Sequence, residues 1–319
     1  RCKSQLRKSP DRRWKENANF SKDISEVDMM GKCALCGEDK ELQLSHIIPK
    51  FIGKYLKNTS IGNIRSHENP NRIAQDIEKH YMLCHDCEEL FSASERYFAN
   101  TVFYPYKRDK HETFNYDEKL FYFLTSLSWR SLYLDIVNFV REKSLKLDVI
   151  ERMIEAEGIM RDFLLSKRTD LSNIEHHIFF FERIMNVNAP DDNLLKTGRP
   201  HTTIHRSLTS YSGYSDNTIY TISNLMGIVV VTLYSKDVDE IWKNTQVFNE
   251  KNILVAANQE VQSRLGNEFV FWMEQCEKDI NVISEETEQK ILKKVMDLGD
   301  DIKDYAIYQD IVDDNQLEN

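Results

Sequence analysis

Four cysteines at two short intervals place the strongest constraint on how this chain folds. They form the pairs Cys33–Cys36 and Cys84–Cys87, each with two residues between the thiols. This spacing lets both sulfurs of a pair face one metal ion, and two such pairs supply the four thiolates of a closed zinc site. The alternative, two disulfides, needs an oxidising compartment that nothing else in the sequence suggests. We therefore expect structural Zn²⁺ bound by Cys33, Cys36, Cys84 and Cys87.

The apolar content indicates a soluble protein with a substantial core. The chain has 319 residues, of which 41% are hydrophobic and 29% charged, and this length suits two domains or one elaborated domain. The longest apolar run, at Gly227–Val231, is far too short to span a bilayer. No secretory signal is visible at the start, although the sequence begins at Arg1. We expect a cytoplasmic protein without a membrane partner.

Charge is distributed unevenly along the chain. The net charge is −10, yet residues 1–110 hold 20 Lys and Arg against 16 Asp and Glu, a net of +4, which leaves −14 for residues 111–319. Cations concentrate between Arg1 and Lys15, a stretch that suits either a nucleic-acid backbone or a solvated helix. The acidic remainder is expected to bind a protein partner or to mediate homo-oligomerisation.

The predicted organisation has three parts. They are a basic lead-in at 1–30, a cysteine-bounded module at 31–110 and an acidic α+β region at 111–319. In the third part, apolar spacing predicts helices to about 167, and then a strand at His177–Phe181. A hairpin is predicted from Thr218–Ser223 and Gly227–Tyr234, with another strand at 252–257. Further predictions are a long loop at 193–216, helices at 258–278 and 285–298, and partial disorder at 300–319.

Between the cysteine pairs lies a second motif, Ser45-His46-Ile47-Ile48-Pro49-Lys50. The order of the first pair, this run and the second pair resembles HNH endonucleases of the zinc-stapled ββα-metal type. The resemblance covers about 80 residues, roughly a quarter of the chain. It implies two short strands and a helix clamped by zinc, and an activity that hydrolyses phosphodiester bonds. The fold expected for the whole chain is α+β: this module, a helical middle, and a small antiparallel sheet with helices.

The resemblance also implies roles for two residues. His46 matches the general base, which takes a proton from water so that hydroxide can attack phosphorus. The position after the second cysteine pair usually binds a divalent cation in the family and is Glu88 here. A carboxylate suits Mg²⁺ or Mn²⁺. On a helix that starts at the second pair, Glu95 would share a face with Glu88 and is a further candidate ligand.

Two positions depart from the family pattern. The residue before the base is commonly aspartate, and here it is Ser45, a weak ligand for a hard cation. The asparagine that orients the base has no unambiguous match, although the loop offers Asn69 and Asn71. We assign this role to Asn71 and expect Asp76 to replace the missing metal ligand.

Basic residues supply the expected nucleic-acid contacts. Arginine can hold a phosphate with two parallel hydrogen bonds, and lysines after the proline form a basic flank. The candidates are Arg65, Arg72, Lys50, Lys54 and Lys57.

The predicted function is a metal-dependent endonuclease acting on DNA, with RNA as an open alternative substrate. A small nuclease module on a larger body also resembles effectors of bacterial anti-phage systems. The competing interpretation is a non-catalytic zinc-binding module that recognises nucleic acid or protein, which would account for both departures.

Overall fold

Helices and antiparallel sheets alternate along the described chain, as the α+β prediction expects. A computed structural model describes residues 29–66, 69–181 and 199–317. The basic stretch between Arg1 and Lys15 lies outside these residues. None of the helices within them combines the length and the apolar character needed to cross a membrane.

The first sheet and its following helix carry both cysteine pairs. Three antiparallel strands are ordered β1-β2-β5, and a helix and a small hairpin lie between β2 and β5 in the chain. In chain order the elements are β1 (Met30–Lys32), β2 (Asp39–His46), α1 (Lys50–Thr59), β3 (Arg65–Ser66), β4 (Asn69–Ile73), β5 (Lys79–Cys84) and α2 (His85–Phe98). We call the unit of β1, β2, β5 and α2 the ββα unit.

Helix α1 is amphipathic and packs closely against the segment that enters β5. Pro49 precedes its first turn, and Ile52, Gly53 and Leu56 form its buried side. A Cβ at Gly53 would lie 2.7 Å from Cγ2 of Ile77, so only glycine permits this approach. The opposite side of α1 is therefore free to present charge to solvent.

A mostly buried helix, α4, forms the centre of the molecule. It follows a π-helical turn at Ala99–Phe103, the short α3 (Tyr104–Lys107) and β6 (Thr113–Tyr116), and it runs from Glu118 to Glu142 before α5 (Leu147–Leu164). It contacts α2 and α5. The Asp117 side chain accepts a hydrogen bond from the N–H of Lys119 and caps the helix. The predicted helical middle is confirmed, except that Asn115 lies in a strand.

The second sheet has five antiparallel strands in the order β12-β7-β10-β9-β8. Its strands are β7 (Glu175–Phe180), β8 (Leu208–Ser215), β9 (Thr218–Leu225), β10 (Ile228–Ser235) and β12 (Gln246–Val247), and the smaller pairings use β11 (Ile241–Lys243), β13 (Asn252–Val255) and β14 (Glu260–Gln262). The predicted β9–β10 hairpin is confirmed. Met226 and Gly227 have φ of 60° and 84° at its turn, as a type I′ turn requires.

Polar side chains fill much of the interface between α4 and this sheet. Ser128 Oγ lies 2.6 Å from Thr232 Oγ1, and Thr125 Oγ1 lies 2.9 Å from Nε2 of His176. All four side chains are fully buried, and each hydroxyl has a partner, as buried polar groups require. Apolar side chains surround these pairs in a hydrophobic core that runs without a break from Cys33 to Ala256. This core contains residues from both sides of the domain boundary expected at residue 110. That boundary remains a prediction.

Three predictions in the C-terminal region are wrong. The expected loop at 193–216 contains α6 (Pro200–His205) and β8 within the described residues. The expected helix at 258–278 begins only at Gly266, as α7 (Gly266–Asn281), because residues 260–262 pair with β11. The expected disorder after 300 is a 3₁₀ turn followed by α9 (Ala306–Leu317), whereas α8 (Glu285–Leu298) agrees with prediction.

Contacts between distant residues explain the order of α9. Asp310 binds Nδ1 of His205 at 3.0 Å and Nε of Arg206, and Asp314 accepts hydrogen bonds from the first backbone N–H groups of α6. These acidic residues therefore stabilise a helix pair rather than a solvated tail.

Asp135 on α4 gives a testable pH dependence. Its Oδ2 accepts a hydrogen bond of 2.6 Å from the backbone N–H of Ser212, and burial raises its pKa to about 7. Because the folded pKa is raised, folding takes up a proton, and this group's contribution to stability falls as pH rises from about 4 to 7.

We expect Asp135→Asn to be more stable than the wild type at pH 8, by up to about 4 kcal/mol, and to show no gain near pH 4. The amide oxygen preserves the acceptor without the buried charge. Urea unfolding of both proteins at the two pH values measures this difference. A wild type as stable as the variant at pH 8 would contradict the assignment.

Candidate metal centre and histidine site

Four cysteine sulfurs lie together where the turn after β1, the end of β5 and the start of α2 meet. Cys33 and Cys36 lie in the turn between β1 and β2, Cys84 ends β5, and Cys87 lies in the first turn of α2. All four sulfurs lie within 4.8 Å of one another. The Sγ atoms of Cys36 and Cys84 are 4.0 Å apart. A tetrahedral zinc ion with Zn–S bonds of about 2.3 Å places its ligands about 3.8 Å apart, so this cluster can hold a metal ion and is compatible with structural zinc.

The same geometry excludes the disulfide alternative for these residues. All four are free thiols, whereas a disulfide requires sulfurs about 2.0 Å apart. A hydrogen bond from the Cys87 thiol holds the pKa of Cys33 at about 4, while burial raises the pKa of Cys36 to about 11. Burial thus disfavours the negative charge of a thiolate at Cys36. A bound cation would compensate for that charge.

His46 lies at the end of β2 and contacts a carboxylate. It pairs across the sheet with Lys79, the first residue of β5. Its Nε2 is 3.2 Å from Oδ2 of Asp76, and its side chain is 17% exposed. If Nε2 carries the proton and donates it to Asp76, then Nδ1 keeps the lone pair and can accept a proton.

Asp76 is held in its charged form by two neighbours. Lys79 Nζ donates a 2.9 Å hydrogen bond to the Oδ2 that faces His46, and the N–H of Ile77 donates to Oδ1. These contacts, with the lysine contributing most, lower the pKa of Asp76 to about 2. Asp76 was expected to be a metal ligand. In the structure its carboxylate contacts His46 and Lys79 instead.

The three carboxylates predicted to bind a catalytic cation have different surroundings. Oε1 of Glu88 is buried without a hydrogen-bond partner. Oε1 of Glu95 accepts a 2.6 Å bond from the buried Arg130, and Asp76 is engaged as described. Among the described residues, the four cysteines form the only group of three or more His, Cys, Asp or Glu side chains that lie close enough to share a metal ion. Of these three carboxylates in the described part of the chain, Glu88 alone has a buried oxygen without a hydrogen-bond partner.

Two other predicted site residues have structural partners. Asn71 was expected to orient His46, but its side-chain amide donates to the carbonyl of Val282 at 2.9 Å and accepts from the N–H of Ser284 at 2.7 Å. Asp76 makes the contact expected of Asn71, which corrects that assignment. Arg65 donates to the carbonyl of Pro70 at 2.7 Å and closes the β3–β4 hairpin, so this hydrogen bond competes with phosphate binding.

Ser45, which replaces the family's aspartate, is 1% exposed, and its hydroxyl donates to the carbonyl of Gln43 at 3.4 Å. It therefore faces the interior and is not available to a cation.

The predicted basic flank is presented to solvent. Lys50, Lys54 and Lys57 are all exposed on α1 and recur at intervals of four and three residues, so they share one side of the helix. Arg72 on β4 is exposed as well. The lysines lie opposite the buried side of α1, where a nucleic-acid backbone could reach them.

Two site residues were missed in the sequence, Lys79 and Arg130. Arg130 is the one charged residue between Leu120 and Leu134 of α4, and a lone charge in so apolar a stretch of a helix is a signal that could have revealed it. Lys79 has no such signal, since its partner becomes apparent only once β2 and β5 pair.

Removal of the metal is expected to unfold the protein. Zinc contributes about 10–16 kcal/mol to the folding of small zinc units, which equals or exceeds the net stability of a typical domain. We expect one zinc ion per purified chain, and a lost thermal transition after treatment with a strong chelator or in Cys84→Ser. Metal analysis and circular dichroism measure both. Cys276→Ser is the matched control and should keep its zinc; a folded, metal-free Cys84→Ser would contradict a structural site.

Compared with known proteins, the chain matches no family model, and no similar curated protein or solved structure is found. The interpretation of this site therefore depends on its own residues and their geometry.

Proposed function

We propose that this protein is a metal-dependent endonuclease of the HNH type that hydrolyses phosphodiester bonds in DNA. The observation that carries the proposal is the position of His46, which ends a strand of the ββα unit and contacts a carboxylate through one ring nitrogen. A histidine with one ring nitrogen held by a carboxylate is the arrangement that general-base catalysis uses.

In the proposed reaction, Nδ1 of His46 takes a proton from a water molecule. The resulting hydroxide forms a bond to phosphorus, and the bond between phosphorus and the leaving oxygen breaks. The positive imidazolium that forms is stabilised by Asp76, whose low pKa keeps it charged. Lys79 fixes the carboxylate from the other side at 2.9 Å. These residues hold the base in one orientation and stabilise its protonated state.

A catalytic Mg²⁺ or Mn²⁺ is the second element of the proposal. Glu88 would hold it, because its buried carboxylate oxygen lacks a hydrogen-bond partner. Such an ion supplies neutralisation of charge on the phosphate and on the leaving oxygen. One protein carboxylate is compatible with Mg²⁺, which keeps several waters and binds substrate phosphates. Asp76 and Glu95 are engaged in ion pairs and contribute less to this site.

One observation favours the non-catalytic alternative. Apart from the cysteines, the described residues contain no group of three metal ligands near one another, so a zinc-binding module that only recognises nucleic acid or protein is the second candidate. The role as an effector of an anti-phage system stays a prediction that rests on the arrangement of the chain, as does a partner or a second copy bound by residues 111–319.

His46→Ala tests the nuclease directly. We expect the wild type to nick supercoiled plasmid with Mg²⁺ or Mn²⁺, and the variant to be at least about a hundredfold slower, because a general base contributes about 10²–10⁴ to the rate. His80→Ala is the matched control, since His80 contacts Glu78 at 2.8 Å in the same sheet and is exposed. It should cleave at the wild-type rate.

Both variants should retain zinc, which shows that they are folded. Equal cleavage by wild type and His46→Ala would contradict the assigned base. DNA binding without cleavage by the wild type would favour the non-catalytic alternative, and a parallel assay on RNA separates the two substrates.

The basic flank should determine the salt dependence of DNA binding. Replacing Lys50, Lys54 and Lys57 by glutamine is expected to make the slope of log K against log salt shallower by about 2.7, since each phosphate contact contributes about 0.9. Titration of labelled duplex at several salt concentrations measures it. Glutamine at the exposed Lys290, Lys293 and Lys294 of α8 is the control and should leave the slope unchanged. An unchanged slope in the α1 variant would place the DNA elsewhere.

A further inference from the structure

A buried arginine outside the ββα unit contacts the candidate base. Arg130 lies on α4 and is 1% exposed. One terminal nitrogen donates to the backbone carbonyl of His46 at 2.7 Å, and the other donates to Oε1 of Glu95 at 2.6 Å. The guanidinium lies over the ring of Phe91, 5.2 Å from its centroid. A single side chain thus joins the last residue of β2 to the third turn of α2.

The cost of burying this charge indicates a specific use. A buried cation costs several kcal/mol of desolvation unless it is paired and hydrogen-bonded. Here Nε also donates to the carbonyl of Ser126 at 3.3 Å, so all three nitrogens have acceptors. Only arginine has the planar fork that reaches two acceptors on different elements at once. Lysine could satisfy one of them.

The contact with His46 fixes the backbone from which the base projects. The side chain of His46 is held by Asp76, and its carbonyl by Arg130. These two contacts come from different parts of the chain, one from the segment before β5 and one from α4. Rotation of the His46 backbone would move Nε2 away from Asp76.

We propose that Arg130 is a positioning residue for His46, so that a helix outside the cysteine-bounded module completes the candidate active site. The inference rests on the proposed function of His46 as a base. Helix α4 contacts the five-stranded sheet as well as α2, which links that sheet to the site.

The test compares catalysis with the state of the His46 ring. We expect Arg130→Lys to remain folded and zinc-loaded, and to lose about a hundredfold in kcat with little change in KM, because misplacement of a catalytic group by about 1 Å costs that much. Nitrogen NMR of the imidazole, at a pH where it is neutral, should show the proton on Nε2 in the wild type and a mixture of tautomers in the variant.

A second variant covers failure of the first to fold. Arg130→Met with Glu95→Met removes both charges, and replacing a buried ion pair by apolar side chains is often neutral or stabilising. In this double variant the tautomer of His46 is the deciding measurement, since it can be determined whether or not the protein cleaves DNA. The matched control is Arg206→Met, which breaks the pair with the buried Asp310 and removes the hydrogen bond of Arg206 to Thr59 at the end of α1. It should lose stability but keep the wild-type kcat and tautomer.

The outcomes separate this inference from the proposed function. A mixed tautomer in the Arg130 variants supports positioning even if the wild type fails to cleave, in which case the nuclease proposal alone falls. An Arg130→Lys protein with the wild-type tautomer would overturn positioning, whatever its kcat, and so would the wild-type tautomer in the double variant. The nuclease proposal would then stand or fall by His46→Ala.

Discussion

The convergence of four thiols determines where every other part of the site lies. The cluster joins the turn after β1, the end of β5 and the first turn of α2. Because β2 pairs with β5 in a register that sets Leu42 against Cys84 and His46 against Lys79, fixing Cys84 also fixes the far end of the sheet. Asp76, three residues before Lys79, is thereby brought to His46. A metal at the cysteines would thus help to fix the position of His46 through the strand register, without touching it.

Charge at this far end is arranged in opposed pairs. On the solvent side Asp76 contacts His46 and Lys79, and on the buried side Arg130 contacts Glu95. The buried pair is expensive to desolvate and gains little net stability over an apolar pair, so its main effect is on geometry, because it joins α4 to α2.

Local sequence signals predicted the parts of the fold whose cause is local. The cysteine pairs, the β9–β10 hairpin and helix α8 depend on residues near one another in the chain, and the structure has them as predicted. The failures depend on distant partners. The sequence of strand β8 predicts a polar loop because it is rich in hydroxyl side chains, but in the structure these bind other hydroxyl groups. Ser212 contacts Thr221, and Ser210 contacts Ser131 on α4. Likewise, Asn71 has the composition of a catalytic loop residue, but its partners lie more than two hundred residues away.

Local sequence signals and contacts between distant residues also give different limits for the candidate enzyme. Motifs delimit a module of about 80 residues, because the cysteines and His46 all fall within it. Physical contacts do not respect that limit: the hydrophobic core continues from Cys33 into the five-stranded sheet, and the guanidinium that holds the His46 carbonyl belongs to α4. A unit limited to the motifs would lack this guanidinium. Glu95 would then lose its ion-pair partner, and the carbonyl at the end of β2 would lose its hydrogen-bond donor. The larger body therefore supplies part of the structure that holds His46 in place.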